Sequence, residues 1–218
     1  MTLLKTRKRT LRVRGIARRE LLLCAARALL NERDLDEISL GDVAARAGVP
    51  KGSAYHFYED IKDLYAALLA LTEEEVLKTH VTAIAEPVRE WPDVVRILIR
   101  RGVEFYNADR PSCQLQIGPK TPPELKLRDR RSDLALGALY QQHINAFFEL
   151  PELPEVSQVF FRAVEIADLM FGLSVLETGK ITAAMGAEAE RATVAYLATY
   201  LPAKLRRRRR PLVVNPPH

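Results

Sequence analysis

Apolar side chains recur every three or four residues along most of the chain, the spacing that places them on one face of an α-helix. The alternation of single apolar and polar residues that is typical of strands is nearly absent. Pro and Gly gather where the helical pattern stops. The pattern predicts an all-α fold whose later helices cover residues 62–85, 93–108, 124–149, 155–178 and 186–201.

The first compact segment, from Ile16 to Leu71, is predicted to contain three short helices and the start of a longer one. The second short helix begins at Ser39, because Ser39-Leu40-Gly41-Asp42 has the S-x-x-D form of a capping box. It ends at Gly48, which can adopt the left-handed conformation that other residues resist. Val49-Pro50 then opens a third helix that runs to Tyr58. Two short helices joined by a turn with Gly predict a helix-turn-helix.

The third helix carries side chains that are suited to nucleic acid. Four of them are polar or amphipathic: Lys51, Ser53, Tyr55 and His56. They lie where a recognition helix meets the major groove and its flanking phosphates. An ordinary helical hairpin would explain the small residues Ala44, Gly48 and Ala54 at the contact between the two helices, but it would not explain these four side chains. The alternatives are that Tyr55 closes the core and that His56 is a surface residue without a partner, whereas Phe57 and Tyr58 are predicted to be core.

Residues 19–69 resemble the DNA-binding head of the TetR family of transcriptional repressors. The resemblance covers about a quarter of the chain and rests on Leu22-Leu23-Cys24-Ala25-Ala26, Ser39-Leu40-Gly41-Asp42-Val43-Ala44 and Ala47-Gly48-Val49-Pro50-Lys51-Gly52-Ser53-Ala54-Tyr55-His56-Phe57-Tyr58, followed by Leu64. It implies that Tyr55 contacts a phosphate and that the neighbouring polar residues meet bases or backbone. It also places Ser39 near the phosphates. The candidate DNA contacts are Ser39, Arg46, Lys51, Gly52, Ser53, Tyr55, His56 and Lys62.

Two positions depart from the pattern of the family. Asp34 stands where the family usually has Gly after the first helix, and Ile61 stands where it usually has a Lys that reaches the DNA backbone. The neighbouring Lys62 is the candidate for supplying that charge.

The chain has a net charge of +5, and the charged residues are distributed unevenly along it. Residues 1–19 contain eight cations and no acid, and residues 204–210 contain six cations, so the rest of the chain carries a net negative charge. Basic segments on an acidic body indicate a polyanionic partner, although two solvated tails are the alternative. The expected organisation is a basic N-terminal arm (1–15) that contacts phosphates or the minor groove, a helix-turn-helix domain (16–61), a ligand-binding and dimerisation domain (62–203) and a basic, disordered tail (204–218).

The stretch from Val156 to Leu176 is apolar nearly all round, which predicts burial on more than one side. The resemblance implies that the helices near 155–178 and 186–201 pair with their copies in a second subunit as a four-helix bundle. The internal core of a monomer would have the same composition. Two recognition helices about 34 to 36 Å apart would read a palindromic double-stranded DNA operator more specifically than one helix.

The larger domain is expected, from the same resemblance, to bind a small-molecule effector. Leu136, Tyr140, His143 and Phe147 share one face of a helix that is apolar with two polar tips, as in ligand pockets. A His on such a face is also typical of a core histidine. The candidate ligand contacts are Phe105, Tyr106, Gln114, Gln116, Tyr140, His143, Phe147 and Phe171. Cys113 is predicted to be a small buried apolar residue.

The chain contains no H-E-x-x-H, no E-x-x-H pair and no phosphate-binding G-x-x-x-x-G-K, so we predict neither catalysis nor a metal or cofactor. Two cysteines far apart and no apolar run of about 20 residues favour a cytoplasmic protein without membrane contact. The sequence therefore predicts a DNA-binding transcriptional regulator, a homodimeric repressor that responds to an effector. The alternative is an architectural nucleic-acid-binding protein with weak sequence preference and no small-molecule control.

Overall fold

The computed structural model describes residues 2–215, with side chains from residue 15 onward. Within that part the regular elements are helices and one isolated bridge, so the all-α prediction is confirmed. The helices are α1 (Thr2–Glu32), α2 (Leu40–Ala47), α3 (Lys51–Phe57), α4 (Ile61–Val81), α5 (Trp91–Ala108), α6 (Arg110–Gln116), α7 (Pro123–Phe147), α8 (Val156–Thr178) and α9 (Ala183–Leu197), with a short 3₁₀ helix at Leu35–Glu37.

The chain divides into two compact units, Met1–Ala70 and Leu71–His218. The division falls inside α4, whereas the sequence placed a boundary between residues 61 and 62. The predicted boundary lies at the start of α4, which begins at Ile61, and the division in the structure falls further along the same helix.

In the first unit, α2 begins and ends at the residues that the sequence predicts. Ser39 N donates to Asp42 Oδ2 at 2.8 Å, and Asp42 N donates to Ser39 Oγ at 3.2 Å, which is the predicted capping box. Gly48 ends the helix with φ of 62°, the left-handed conformation that the sequence required there. Large apolar side chains from α1 and α4 fill the core of this unit: Leu22, Leu30, Leu64, Leu68 and Leu69.

Proline marks the beginnings of α5, α6 and α7. Pro92, Pro111 and Pro123 each lie at the first or second position of a helix, where a missing backbone N–H costs nothing. The apolar pattern predicts no helix between residues 108 and 124, and the presence of α6 shows that this prediction is wrong. Asp109 caps this short helix by accepting a hydrogen bond from Ser112 N at 3.0 Å.

The second unit is organised around the contact between α7 and α8. At Gly137 the two backbones approach so closely that a Cβ would lie 2.8 Å from Phe161 N and 2.9 Å from the carbonyl carbon of Phe160. Phe160 itself is fully buried, together with Ala163 on the next turn. The apolar character of α8 thus serves an internal contact on at least one of its sides.

Residues 204–215 are ordered along the second unit, which corrects the expectation of a disordered basic tail. Arg208 Nε and Nη2 donate to the carbonyl and side-chain oxygens of Asn145 at 2.7 and 2.8 Å, and Arg208 N donates to Phe147 O. Leu205 and Val214 pack against the apolar core. The reason for the difference is that apolar residues flank the run of arginines and pack against the core, while Arg208 is hydrogen-bonded to α7.

The two cysteines lie in different environments. Cys24 is exposed on α1, whereas Cys113 is buried in α6, as predicted, and burial raises the pKa of its thiol to about 11. No helix in the described part of the chain has the length and apolar character required to cross a membrane.

Candidate nucleic-acid interface and cavity

The exposed face of α3 carries the side chains that the sequence singled out. Tyr55 is 48 % exposed, and Lys51 and His56 are exposed beside it. On the opposite side Ala54 is fully buried, and Tyr58 just after the helix is 2 % exposed. Tyr55 therefore does not close the core of the unit. Tyr58 lies in the core instead, as predicted.

Lys51 lies between α2 and Tyr55. Its Nζ is 5.9 Å from the centroid of the Tyr55 ring, within range of a cation–π contact. A Cβ placed on Gly41 would lie 3.7 Å from Lys51 Cε, an ordinary van der Waals contact, so the lysine side chain runs alongside the first turn of α2. An ammonium group and a phenol hydroxyl are thus presented side by side on one exposed surface, which suits contacts with phosphate oxygens.

Gly52 also lies on this exposed surface, and nothing in the fold requires a glycine there. A Cβ at this position would meet no atom within 4 Å, and its backbone is helical. Because Gly has no Cβ, it leaves open space beside α3 at this point, which permits the close approach of another molecule.

The remaining candidate DNA contacts have roles within the first unit. Ser39 is exposed but its side chain caps α2. Arg46 is engaged by Glu32, with Nη1 3.1 Å from Glu32 Oε2, so its charge already has a partner inside the unit. Ser53 is half-buried in α3, and Lys62 is exposed in the first turn of α4. The structure therefore places Lys51, Gly52, Tyr55 and His56 on the exposed surface of α3, with Ser53 half-buried on the same helix, whereas Ser39 and Arg46 belong to α2 and Lys62 to α4.

The predicted basic arm can be followed only in part. The backbone of residues 2–15 continues α1 as a helix, whereas the side chains of residues 1–14 lie outside the described residues. Contact of this segment with phosphates stays a prediction. Asp34, one of the departures from the family pattern, has φ of −76°, so this position does not need glycine.

A cavity of about 590 Å³ lies between α7 and α8, beside the end of α6. Its volume is in the range of cavities that bind drug-sized molecules. One part of its wall is apolar: Ile117, Pro119, Ile166, Leu169, Leu173 and Leu176. Four carboxylates form another part: Asp129, Asp133, Glu165 and Asp168. Such a mixture of apolar surface and a few charged groups is typical of a small-molecule site.

Burial and mutual repulsion raise the pKa values of three of these carboxyl groups, Asp129, Asp133 and Asp168. Desolvation, together with the charges of Glu73 and Glu165, raises the pKa of Asp129 to about 7. Desolvation and the neighbouring acids raise the pKa of Asp133 to about 10, and the pKa of Asp168 also lies well above its ordinary value. The fold thus holds these three carboxyl groups toward their protonated, neutral forms. Among the described residues, no three His, Cys, Asp or Glu side chains are arranged to hold a metal ion.

We expect Asp129→Asn to stabilise the protein at pH 7.5 by at least about 1.4 kcal/mol, the equivalent of one pKa unit, and to lose this advantage toward pH 5. The folded pKa of Asp129 lies above the unfolded value, so ionisation opposes folding increasingly as pH rises through this range. The groups around Asp129 are Glu73 on α4, Lys126, Arg130 and Asp133 on α7, and Glu165 and Asp168 on α8.

Urea denaturation of both proteins at several pH values measures this difference. Comparing variant with parent cancels the opposite pH dependence of His80, whose pKa burial lowers to about 4. A stability difference that does not change between pH 5 and 7.5 would contradict the assignment.

The eight ligand candidates from the sequence are not brought together. Only Gln116 lines the large cavity. Tyr106, Tyr140 and Phe171 are buried in the core, Phe105 packs partly against it, and Gln114 accepts a hydrogen bond from Thr121 Oγ1 through its carbonyl. His143 and Phe147 line a separate, smaller cavity beneath residues 211–214, where His143 Nε2 lies 2.7 Å from His80 O.

The apolar face of α7 that suggested a pocket therefore serves the core, because its residues pack against α4, α5 and α8. The four carboxylates of the large cavity were not predicted from the sequence. Their signal was the spacing of Asp129 and Asp133 four residues apart on one helix, and of Glu165 and Asp168 three apart within an otherwise apolar one.

Comparisons with known proteins agree with this geometry. Residues 22–68 match the family model for bacterial regulatory proteins of the tetR family. A TetR-family transcriptional regulator from Streptomyces coelicolor has a similar fold, with a TM-score of 0.64 and 22% identity over 84% of this chain and 99% of that one. A TetR regulator from Rhodococcus sp. RHA1 gives a TM-score of 0.61 and 20% identity over 83% and 95% of the two chains.

The fatty acid degradation regulator FadR from Bacillus halodurans is similar as well, with a TM-score of 0.59 and 17% identity over 82% of this chain and 94% of that one. The comparison with curated protein sequences finds no match. Residues 22–68 are thus a TetR-type DNA-binding domain, and the chain has the fold of TetR-family regulators. These regulators are non-enzymatic DNA-binding transcription factors, in agreement with the prediction that the chain is not an enzyme.

Proposed function

We propose that this chain, with its TetR-type DNA-binding domain, is a transcriptional repressor that binds a palindromic operator as a homodimer and releases it when an effector occupies the second unit. The observation that carries the proposal is the exposed surface of α3. Lys51, Gly52 and Tyr55 are all exposed there, and no neighbouring atom requires a glycine at position 52. Effector control is supported by the ligand-sized cavity in the second unit. The operator affinity would fall because the effector favours a form of the dimer whose heads are spaced wrongly for adjacent grooves.

Selection of duplexes from a random pool tests the first part of this proposal. We expect the purified protein to enrich a short palindrome and to bind it at least a thousandfold more tightly than unrelated DNA, a ratio typical of specific regulators. Enrichment of no common sequence, with equal affinity for all duplexes, would contradict it. That result would favour an architectural protein that binds through its basic ends.

The second subunit is proposed to pack against α8 and α9. The exposed residues of α9 and its C-cap include a series of alanines at helical spacing, which permits another helix to approach closely: Ala184, Ala187, Ala195 and Ala198. Leu169 and Leu176 on α8 are 59% and 62% exposed. Contiguous exposed apolar groups of this kind are typical of association surfaces.

We expect Ala195→Glu to convert the dimer to a monomer, because a buried carboxylate without a partner opposes association. Sedimentation equilibrium at micromolar concentration measures the change, and operator affinity should fall with it. Ala85→Glu introduces the same side chain at an exposed alanine outside both helices and should leave the dimer intact. A dimer that persists in the Ala195→Glu variant would place the interface elsewhere.

We expect Gly52→Ala to stabilise the first unit by about 0.5 to 1 kcal/mol and to weaken operator binding at least tenfold. The stability gain follows from better helix propensity in open space, and the binding loss follows from a methyl group inserted between α3 and DNA. Thermal unfolding and fluorescence anisotropy with the selected duplex measure the two effects. Unchanged operator affinity would show that DNA does not approach α3 at Gly52.

A further inference from the structure

The carboxyl groups of the cavity between α7 and α8 are paired only in part. Asp129 and Asp133 are each only 8 % exposed. Asp133 is hydrogen-bonded to Glu165, whose Oε2 also lies 3.2 Å from Arg130 Nε, whereas Glu165 Oε1 is buried without a hydrogen-bond partner. A buried carboxyl group stays neutral unless a positive charge pairs with it, so a cation that enters the cavity would replace protons on these acids.

A second feature of the same cavity is independent of these acids. Gln116 is 6 % exposed and lines the cavity, and its Oε1 accepts a hydrogen bond from Tyr106 Oη at 3.0 Å. Its Nε2 is buried and has no hydrogen-bond partner. Buried amide donors are nearly always satisfied in native proteins, so an unsatisfied one in the wall of a cavity points to a bound molecule that carries an acceptor.

The basic residues of the cavity wall do not cancel the acids. Arg130 Nε is 3.2 Å from Glu165 Oε2, and Arg162 Nη2 is 3.8 Å from Glu155 outside the cavity, while both arginine side chains remain about half exposed, at 58% and 49%. The charges of Lys126 and Arg130 also act on Asp129 and lower its pKa, but burial and the neighbouring acids outweigh them. Asp129 and Asp133 are more deeply buried than the two arginines of the cavity wall.

We propose that this cavity binds an organic cation with an apolar body, whose positive charge lies against Asp129, Asp133 and Asp168. The apolar part of the molecule would contact Ile117, Ile166 and Leu173, and an acceptor atom would receive a hydrogen bond from Gln116 Nε2. This assignment goes beyond the proposed function in naming the chemical class of the ligand. Only its final consequence, that the cation is the effector, rests on the proposed function.

The direct test uses two pairs of probes that differ in charge but not in apolar shape. Tetraphenylphosphonium is compared with tetraphenylborate, and decyltrimethylammonium with decanoate, by isothermal titration calorimetry with the full chain. We expect at least one cation to bind with a Kd at least tenfold lower than that of its anionic counterpart. Equal affinities within each pair, tighter binding of the anions, or no saturable binding of either cation below 1 mM would overturn the proposal.

Variants then locate the binding site. Asp129→Asn preserves the shape of the side chain, removes its charge and is expected to weaken cation binding at least tenfold. Glu177→Gln makes the same kind of change on an exposed residue of α8 outside the cavity and should leave the Kd within twofold. Unaltered cation binding by Asp129→Asn would overturn the assignment, as would tight binding of Mn²⁺ alone that Asp129→Asn abolishes.

The effector role is tested separately on the complex with the selected duplex. We expect a saturating cation to raise the Kd for that duplex at least tenfold. Cation binding that leaves operator affinity unchanged would overturn the effector role and keep the site. Failure of the protein to select any duplex, with cation binding intact, would instead overturn the proposed function, so the two failures are distinguishable.

Discussion

Replacement of Tyr55 by Phe is expected to weaken operator binding by about a hundredfold. The exposed hydroxyl of Tyr55 is proposed to donate one hydrogen bond to a phosphate, and hydrogen bonds to charged groups contribute about 1.5 kcal/mol or more each. A homodimer loses this bond in both half-sites, and about 3 kcal/mol corresponds to roughly a hundredfold change in Kd. Fluorescence anisotropy with the selected duplex measures the effect.

Tyr58→Phe is the matched control, because it removes the same group three residues away. The Tyr58 hydroxyl is buried and has no hydrogen-bond partner, so its loss should change neither operator affinity nor fold. Equal operator binding by Tyr55→Phe and the parent protein would contradict the assignment of α3 as the recognition helix.

Lys51→Ala extends the same test to charge. Loss of one phosphate contact per half-site should reduce the slope of log affinity against log salt concentration by about 2, whereas Tyr55→Phe should leave this slope unchanged. The two variants therefore separate hydrogen bonding from counterion release on one surface. An unchanged slope in Lys51→Ala would place the lysine away from the phosphates.

Gly137→Ala is expected to destabilise the second unit by about 3 kcal/mol or more. The added Cβ would lie within 3 Å of backbone atoms of Phe160 and Phe161, and backbone atoms in the middle of a helix have little freedom to move away. A loss of this size corresponds to a fall in Tm of roughly 6 to 12 °C for a chain of this length. Differential scanning calorimetry measures the transition.

Gly186→Ala provides the comparison for this change. Its Cβ would meet only the Val103 side chain at 3.4 Å, and the substitution should alter Tm by no more than a few degrees. If Gly137→Ala were equally harmless, the close approach of α7 and α8 would not be a feature of the protein in solution.

Local sequence signals were sufficient for the first unit because each one has a local physical cause. The cap at Ser39 and the left-handed Gly48 depend on neighbours within a few residues, and both were confirmed. The exposed position of Tyr55 followed from the same local arrangement. Arg46 was the exception, because its partner Glu32 lies on α1 and is brought close only by the fold.

The second unit was harder to predict because its decisive contacts join residues far apart in sequence. Proline before α6 was taken as a helix end, since the sequence alone does not distinguish a terminator from a first-turn residue. The apolar face with Tyr140 and His143 looked like a pocket but packs in the core. The acidic cavity arises from α7 and α8 together, so neither helix alone reveals it.

The contrast between the two thiols gives direct experimental access to the proposed mechanism. Cys24 is open to reagents, whereas Cys113 is enclosed and remains protonated at neutral pH. A maleimide spin label would therefore attach at one position per chain, in the DNA-binding unit. In a homodimer, the distance between two such labels would report the separation of the heads without any mutation, and its distribution could be followed as ligand is added.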